Sequence, residues 1–203
     1  MTVDTVLSNA CQTRGSHEEP LHDHWHSGRV RASFTGGALA GTAPAFSFMI
    51  VNYGSGLCLE PSGSGLGDPI LQQPCDSNRP AQIWGASGAT ATQYLISNKV
   101  HATHCLDVRD GVNADRTVVQ QWSCDIQARS MRWQPSTLVP DRFFKFVSAI
   151  GSRCLDVAGG SLQPGAQIQI YRCTQANTNT AQIWELRAIS GAQISEDTSS
   201  KGR

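Results

Sequence analysis

The chain has 203 residues, 16 acidic against 16 basic side chains, a formal net charge of zero, and charged residues at only 16% of its positions. That balance excludes the basic footprint on which phosphate-backbone binding depends, so no nucleic-acid partner is expected. No apolar run is long enough to span a bilayer, which argues against membrane insertion.

Residues 1–45 mix Ser, Gly, His and charged side chains without period and read as a flexible N-terminal extension. Met1 to Glu19 contains no apolar run, so no signal peptide is evident there. A weakly signal-like stretch, with Arg29 and Arg31 ahead of Ala38 to Phe46, is internal and reads as a loop plus a first strand. His22, His24 and His26 alternate and would share one face of a strand, a possible transition-metal set. No orienting partners accompany them, so adventitious binding is the expectation and no metal or cofactor is assigned.

From residue 46 a repeat takes over, in units 46–89, 90–139 and 140–188. Each unit opens on a strand-like run: Phe46 to Val51, Tyr94 to Ile96, and Phe143 to Val147. A turn follows, marked by Gly54-Ser55-Gly56 in the first unit and Gly151-Ser152 in the third. Next comes a cysteine-leucine-acid triplet: Cys58-Leu59-Glu60, Cys105-Leu106-Asp107 and Cys154-Leu155-Asp156. A polar loop leads to an alternating β-branched strand, clearest in Thr117 to Trp122 and Ala166 to Tyr171, and a last short strand carries Trp84, Trp133 or Trp184. About twelve strands result, and the 19 glycines and nine prolines supply their turns. Residues 189–203 read as a disordered tail.

First cysteines lie 47 and 49 residues apart, second cysteines 49 and 49, and the tryptophans 49 and 51. A period of this length marks a repeat architecture in which one unit cannot bury its own apolar face but several together can. The pairs Cys58 and Cys75, Cys105 and Cys124, and Cys154 and Cys173 are separated by 17, 19 and 19 residues, leaving Cys11 over. One disulfide per unit is the natural pairing, although six cysteines allow fifteen connectivities. Disulfides imply an oxidising compartment, so the protein is expected to be secreted. The three tryptophans are expected in a common core around a pseudo-threefold axis.

Gln82-Ile83-Trp84, Gln182-Ile183-Trp184 and the two Cys-Leu-Asp-Val elements at 105–108 and 154–157, in register with the cysteine pairs, resemble the ricin B-chain-type lectins. This family is also seen as family 13 carbohydrate-binding modules. The resemblance covers residues 46–188 and implies an all-β fold, a β-trefoil. It also implies one shallow sugar site per unit. A carboxylate after Cys-Leu would accept bonds from sugar hydroxyls, an aromatic two residues before the second cysteine would stack on the ring, and an Asn-Gln pair before the last Trp would complete the contacts.

The units match that pattern unequally. The third has Asp156, Gln169, Tyr171 and Gln182 but Ala181 in place of the Asn, unless Asn177 or Asn179 reaches in; it ranks first. The second has Asp107, Gln120 and Trp122, with Ser130 and Met131 replacing the Asn-Gln pair. The first has Glu60 before Pro61, Gln73 in place of the aromatic and Ala81 in place of the Asn, and is expected to be structural.

The resemblance therefore implies a non-catalytic lectin for glycans or glycoconjugates, of galactose type or related. Two alternatives remain open: a module of a polysaccharide-degrading enzyme, and a trefoil that has lost sugar binding and acts as a protease inhibitor or protein-binding scaffold. A catalytic thiol-imidazole pair from Cys105 with His101 or His104 conflicts with the disulfide position. The glycine-rich stretch Gly54 to Gly67 lacks a Gly-Lys-Ser/Thr ending and reads as a turn-rich loop.

Overall fold

Short runs that turn apolar residues inward, separated by turn-rich loops, give four strands per unit. A computed structural model describes residues 47–139, 142–175 and 178–189, all within the unit Ala32–Arg203. The expectations for residues 1–45, including Cys11 and the histidine row, and for the tail beyond 189 lie outside the described residues.

In chain order the strands are β1 (Ser47–Asn52), β2 (Cys58–Pro61), β3 (Ile70–Gln73), β4 (Trp84–Gly88), β5 (Tyr94–Asn98), β6 (His104–Val108), β7 (Thr117–Ser123), β8 (Arg132–Val139), β9 (Phe143–Ser148), β10 (Arg153–Val157), β11 (Ile168–Arg172) and β12 (Trp184–Ala188). The first and last strands of the units form a closed antiparallel ring: β1 pairs β4, then β5, β8, β9 and β12 follow, and β12 returns to β1. Closure removes the open edges that a six-stranded sheet would otherwise expose. The inner hairpins β2–β3, β6–β7 and β10–β11 meet at one end of the ring, linked by β11 with β7 and by the bridges Pro69 to Gln120 and Leu71 to Gln167. A six-stranded ring capped by three hairpins is the expected β-trefoil.

Hairpin register aligns the three units residue by residue. Cys58 faces Gln73, Cys105 faces Trp122 and Cys154 faces Tyr171; two residues on, Glu60 faces Leu71, Asp107 faces Gln120 and Asp156 faces Gln169. All three disulfides form within units, Cys58–Cys75, Cys105–Cys124 and Cys154–Cys173. Each stabilises the fold by roughly 3 kcal/mol through the entropy of the loop it closes.

Trp84, Trp133 and Trp184 are fully buried in one core with Ile50, Leu59, Leu106, Leu155 and Ile170. Each indole N–H donates at 3.1 Å to the carbonyl of the triplet leucine of its own unit, Leu59, Leu106 or Leu155. The core ring thereby fixes the strand whose next residue is the acid. A buried donor without a partner is costly, so this bond orients the ring as well as stabilising it.

The units also interlock. The Gln72 carboxamide, on β3, donates to the carbonyls of Ser161 and Gln163 in the third unit, and Gln121, on β7, donates to those of Gly63 and Gly65 in the first. At the equivalent place on β11 stands Ile170, which has no amide to offer. There Arg153 closes the contact instead, donating to Asn113 at 2.6 Å and to Asp115 at 2.9 Å in the second unit.

Candidate functional site

In the second unit the short β6 strand carries Asp107 inward, with only 4% of its surface exposed. One carboxylate oxygen accepts from Gln120 Nε2 at 2.9 Å, and the Ser130 hydroxyl bonds the same carboxylate. Arg109 continues the chain of bonds: its Nε donates to Gln120 Oε1 at 2.8 Å and its Nη2 to the Gly67 carbonyl at 2.8 Å. The guanidinium thus sets which end of the Gln120 amide faces Asp107. Burial raises the Asp107 carboxyl above its ordinary value, opposed by the bonds from Ser130 and Gln120.

Above this carboxylate lies an open cleft of about 670 Å³, lined by Asp107, Arg109, Asp110, Gln120, Trp122 and Ser130 among others. Trp122 is 43% exposed, large for an indole, and forms an apolar wall. Its ring edge lies against Gly67 of the first unit, where a Cβ would come within 3.5 Å of Cζ3. A held carboxylate beside a bare aromatic face can take a polyhydroxylated ring, hydroxyls on the acid and C–H groups on the indole.

Sequence reasoning missed Ser130, Met131 and Arg109 here. Ser130 occupies the place of the family's Asn and bonds Asp107. Met131 replaces the Gln, and its sulfur accepts the Asp125 amide at 3.3 Å, the task that the Gln82 and Gln182 oxygens perform for Asp76 and Thr174. A serine in the Asn register was the available signal; Arg109 had none, because its bond to Gly67 crosses between units.

The third unit holds its acid more tightly. Asp156, 5% exposed, accepts from Gln169 at 2.8 Å on one oxygen and from Gln182 at 3.2 Å on the other. Gln182 is fully buried and Gln169 nearly so, which makes both positioning groups for the carboxylate. Burial again raises the carboxyl above its usual range. Tyr171 is half-buried on β11, two residues beyond Gln169. Asn179 caps the turn Thr180–Gln182, its oxygen accepting the Ala181 amide, so its acceptor is engaged within the chain. Asn177 lies outside the described residues.

In the first unit Glu60 is occupied internally. Its Oε2 accepts from Gln82 at 2.7 Å and pairs with Arg79 at 3.2 Å. Leu71 stands where the other units have a glutamine, and Gln73 offers no ring face. The arrangement fits a structural unit.

Among the described residues no group of three or more His, Cys, Asp or Glu is placed to hold a metal ion, and no helix is long and apolar enough to cross a membrane. His101 and His104 stack with ring centroids 4.9 Å apart, while Cys105 is held in its disulfide.

Residues 39–122 match the family described as ricin-type beta-trefoil lectin domain-like. The match falls on the first unit and most of the second. Solved structures share the chain's fold. ThreeFoil, a designed threefold-symmetric protein, is 23% identical with a TM-score of 0.64, over 70% of this chain and 99% of that one. The ricin B-like lectin of Macrolepiota procera, solved with lactose, is 18% identical with a TM-score of 0.57, over 73% and 99%. An exo-β-1,3-galactanase from Clostridium thermocellum is 24% identical with a TM-score of 0.64; the match covers 75% of this chain but 31% of the enzyme. No curated protein matches the sequence. At these identities the likeness is one of fold, and the site chemistry rests on the chain's own residues.

Proposed function

We propose that this domain binds galactose-type or related glycans without turning them over, through Asp107 and Trp122 in the second unit, with Gln120 holding the acid, and through Asp156 and Tyr171 in the third, with Gln169 and Gln182 holding the acid. The observation that carries the reading is the Asp107 carboxylate, fixed by Gln120 and Ser130 at the floor of a cleft walled by the exposed Trp122. Sugar binding by the ricin B-like lectin solved with lactose is consistent with it. Sequence alone ranks the third unit first; the open cleft supports the second as the principal site. Shallow sites bind weakly, so useful affinity would come from both engaging one branched or surface-bound glycan. The three disulfides support a secreted protein.

The test is a glycan array followed by titration of lactose into the parent, Asp107→Ala, Asp156→Ala and the double variant. Each single variant should lose one site and the double variant both. Lactose binding unchanged in the double variant would overturn the assignment.

A second reading is favoured by the galactanase, of which the matching part is only 31%. In it, the domain is a targeting module that holds a polysaccharide for a catalytic partner. Adsorption to insoluble galactan, measured beside binding to branched cell-surface glycans, distinguishes the two.

A further inference from the structure

Arg116 adopts φ 71°, a left-handed conformation that costs every side chain except glycine. The equivalent positions of the other units are Gly67 at φ 87° and Gly165 at φ 80°. The equivalence is fixed by backbone bonds between units: Gly67 N–H donates to the Gln121 carbonyl at 2.8 Å, Gly165 to Gln72 at 2.8 Å and Arg116 to Ile170 at 2.9 Å. A strained residue where two sister positions have glycine is a reason to look for a role in the side chain.

Its surroundings supply one. Gly67 lies against the edge of Trp122, the aromatic one residue after Gln121. By the same threefold relation Arg116 starts at the edge of Tyr171, one residue after Ile170. Tyr171 is smaller than Trp122, which leaves room for the longer neighbour. Arg116 is exposed, and among the described residues its guanidinium has no hydrogen-bond or ion-pair partner.

The charge around the two candidate sites differs position by position. Where the second unit has Asp110 and Asp125 on its cleft, the third has Gly159 and Thr174. Where the second has Ser123 after its aromatic, the third has Arg172, its side chain 81% exposed. Asp115, which follows the chain into Arg116, is already shared between Arg153 at 2.9 Å and Arg172 at 3.6 Å. The second cleft is thus acidic with its one lining arginine, Arg109, tied to Gln120 and Gly67. The third has a cationic rim with a free guanidinium.

We propose that Arg116 is a specificity-determining residue of the third-unit site, selecting glycans that carry an anionic group, carboxylate or sulfate, beside the sugar stacked on Tyr171. The assignment rests on the reading that this unit binds a sugar. A guanidinium offers a planar fork of donors that matches both oxyanions. The second site, with its additional carboxylates, takes neutral glycans.

The experiment isolates the third site by using the full chain with Asp107→Ala and Trp122→Ala. Lactose, sialyllactose and sulfated lactose are titrated into this parent and into its Arg116→Gly and Arg116→Lys versions, with thermal melts alongside. The parent should bind at least one charged probe roughly five- to tenfold more tightly than lactose, and that preference should fall with added salt. Whether sialyllactose or sulfated lactose is preferred identifies the anion. Arg116→Gly should abolish the preference while keeping lactose affinity and melting no lower than the parent, because glycine relieves the strain. Arg116→Lys should retain part of it. Equal affinity for all three probes in the parent, or a preference that survives Arg116→Gly, overturns the proposal while leaving the lectin reading intact. No binding of any probe overturns the proposal together with the third-unit site, and lactose titrated into the chain with Asp107 and Trp122 intact then decides the lectin reading separately.

Discussion

The Met131 sulfur accepts the Asp125 amide at 3.3 Å, in the place where Gln182 accepts the Thr174 amide at 3.0 Å. One position thus anchors the loop after the second cysteine with two chemistries. Only the glutamine has a second arm, which reaches Asp156. Replacing Met131 by Gln should therefore give Asp107 another donor, bring its raised carboxyl back toward the ordinary 3.8 and add about 0.5–1 kcal/mol of stability. Carboxyl titration by NMR and denaturant unfolding read these effects, and an unmoved Asp107 would refute them.

Glycan binding and stability should move in opposite directions in acid. Burial raises Asp107 and Asp156 above 3.8, so the folded state holds these protons more tightly than the unfolded chain does. Their contribution to stability is fully present below the unfolded value and is lost as pH rises through the raised folded values. The ionised form accepts sugar hydroxyls, so affinity should fall as pH drops through those same values. Lactose titrations and melts across the acid range check both trends; Asp107→Asn should flatten the share that the second site contributes to each.

Ser148 occupies the strand-end position that Asn52 and Asn98 hold in the other units. Asn98 donates to the Ala81 carbonyl at 2.7 Å and Asn52 to that of Ala181 at 3.2 Å. The Ser148 hydroxyl is buried without a hydrogen-bond partner among the described residues. Ser148→Asn should reach the Ser130 carbonyl and stabilise the fold by about 1 kcal/mol. A fall in the denaturation midpoint would show that the pocket does not admit the longer side chain.

Trp133→Phe should cost about 2–4 kcal/mol, because it opens a cavity and strands the buried Leu106 carbonyl. Trp84→Phe and Trp184→Phe should cost similar amounts, since all three indoles make the same bond at 3.1 Å. Chemical unfolding of the three variants tests the equivalence, and a spread of several kcal/mol would break it.

The architecture was legible because cysteines, tryptophans and triplet acids recur at fixed spacing, and each recurrence has one physical cause: a bridge, a core ring or a held carboxylate. Asp107, Asp156 and Trp122 were singled out through the family resemblance that those spacings carry. What could not be read were relations between units. Arg109 finds Gly67, and Arg153 finds Asp115, only after the hairpins meet. Nor could the sequence tell that Gln182 spends itself on Asp156 and is closed to solvent. Strain at Arg116 is likewise a property of backbone angles and leaves no mark in composition.

Gly67 belongs to one unit while the indole it faces belongs to the next. A single unit cut from the chain would carry every residue that lines the cleft but would lack the Gly67 carbonyl that steadies Arg109. The unit that offers the cleft thus depends on its neighbour to steady the arginine that orients the Gln120 amide.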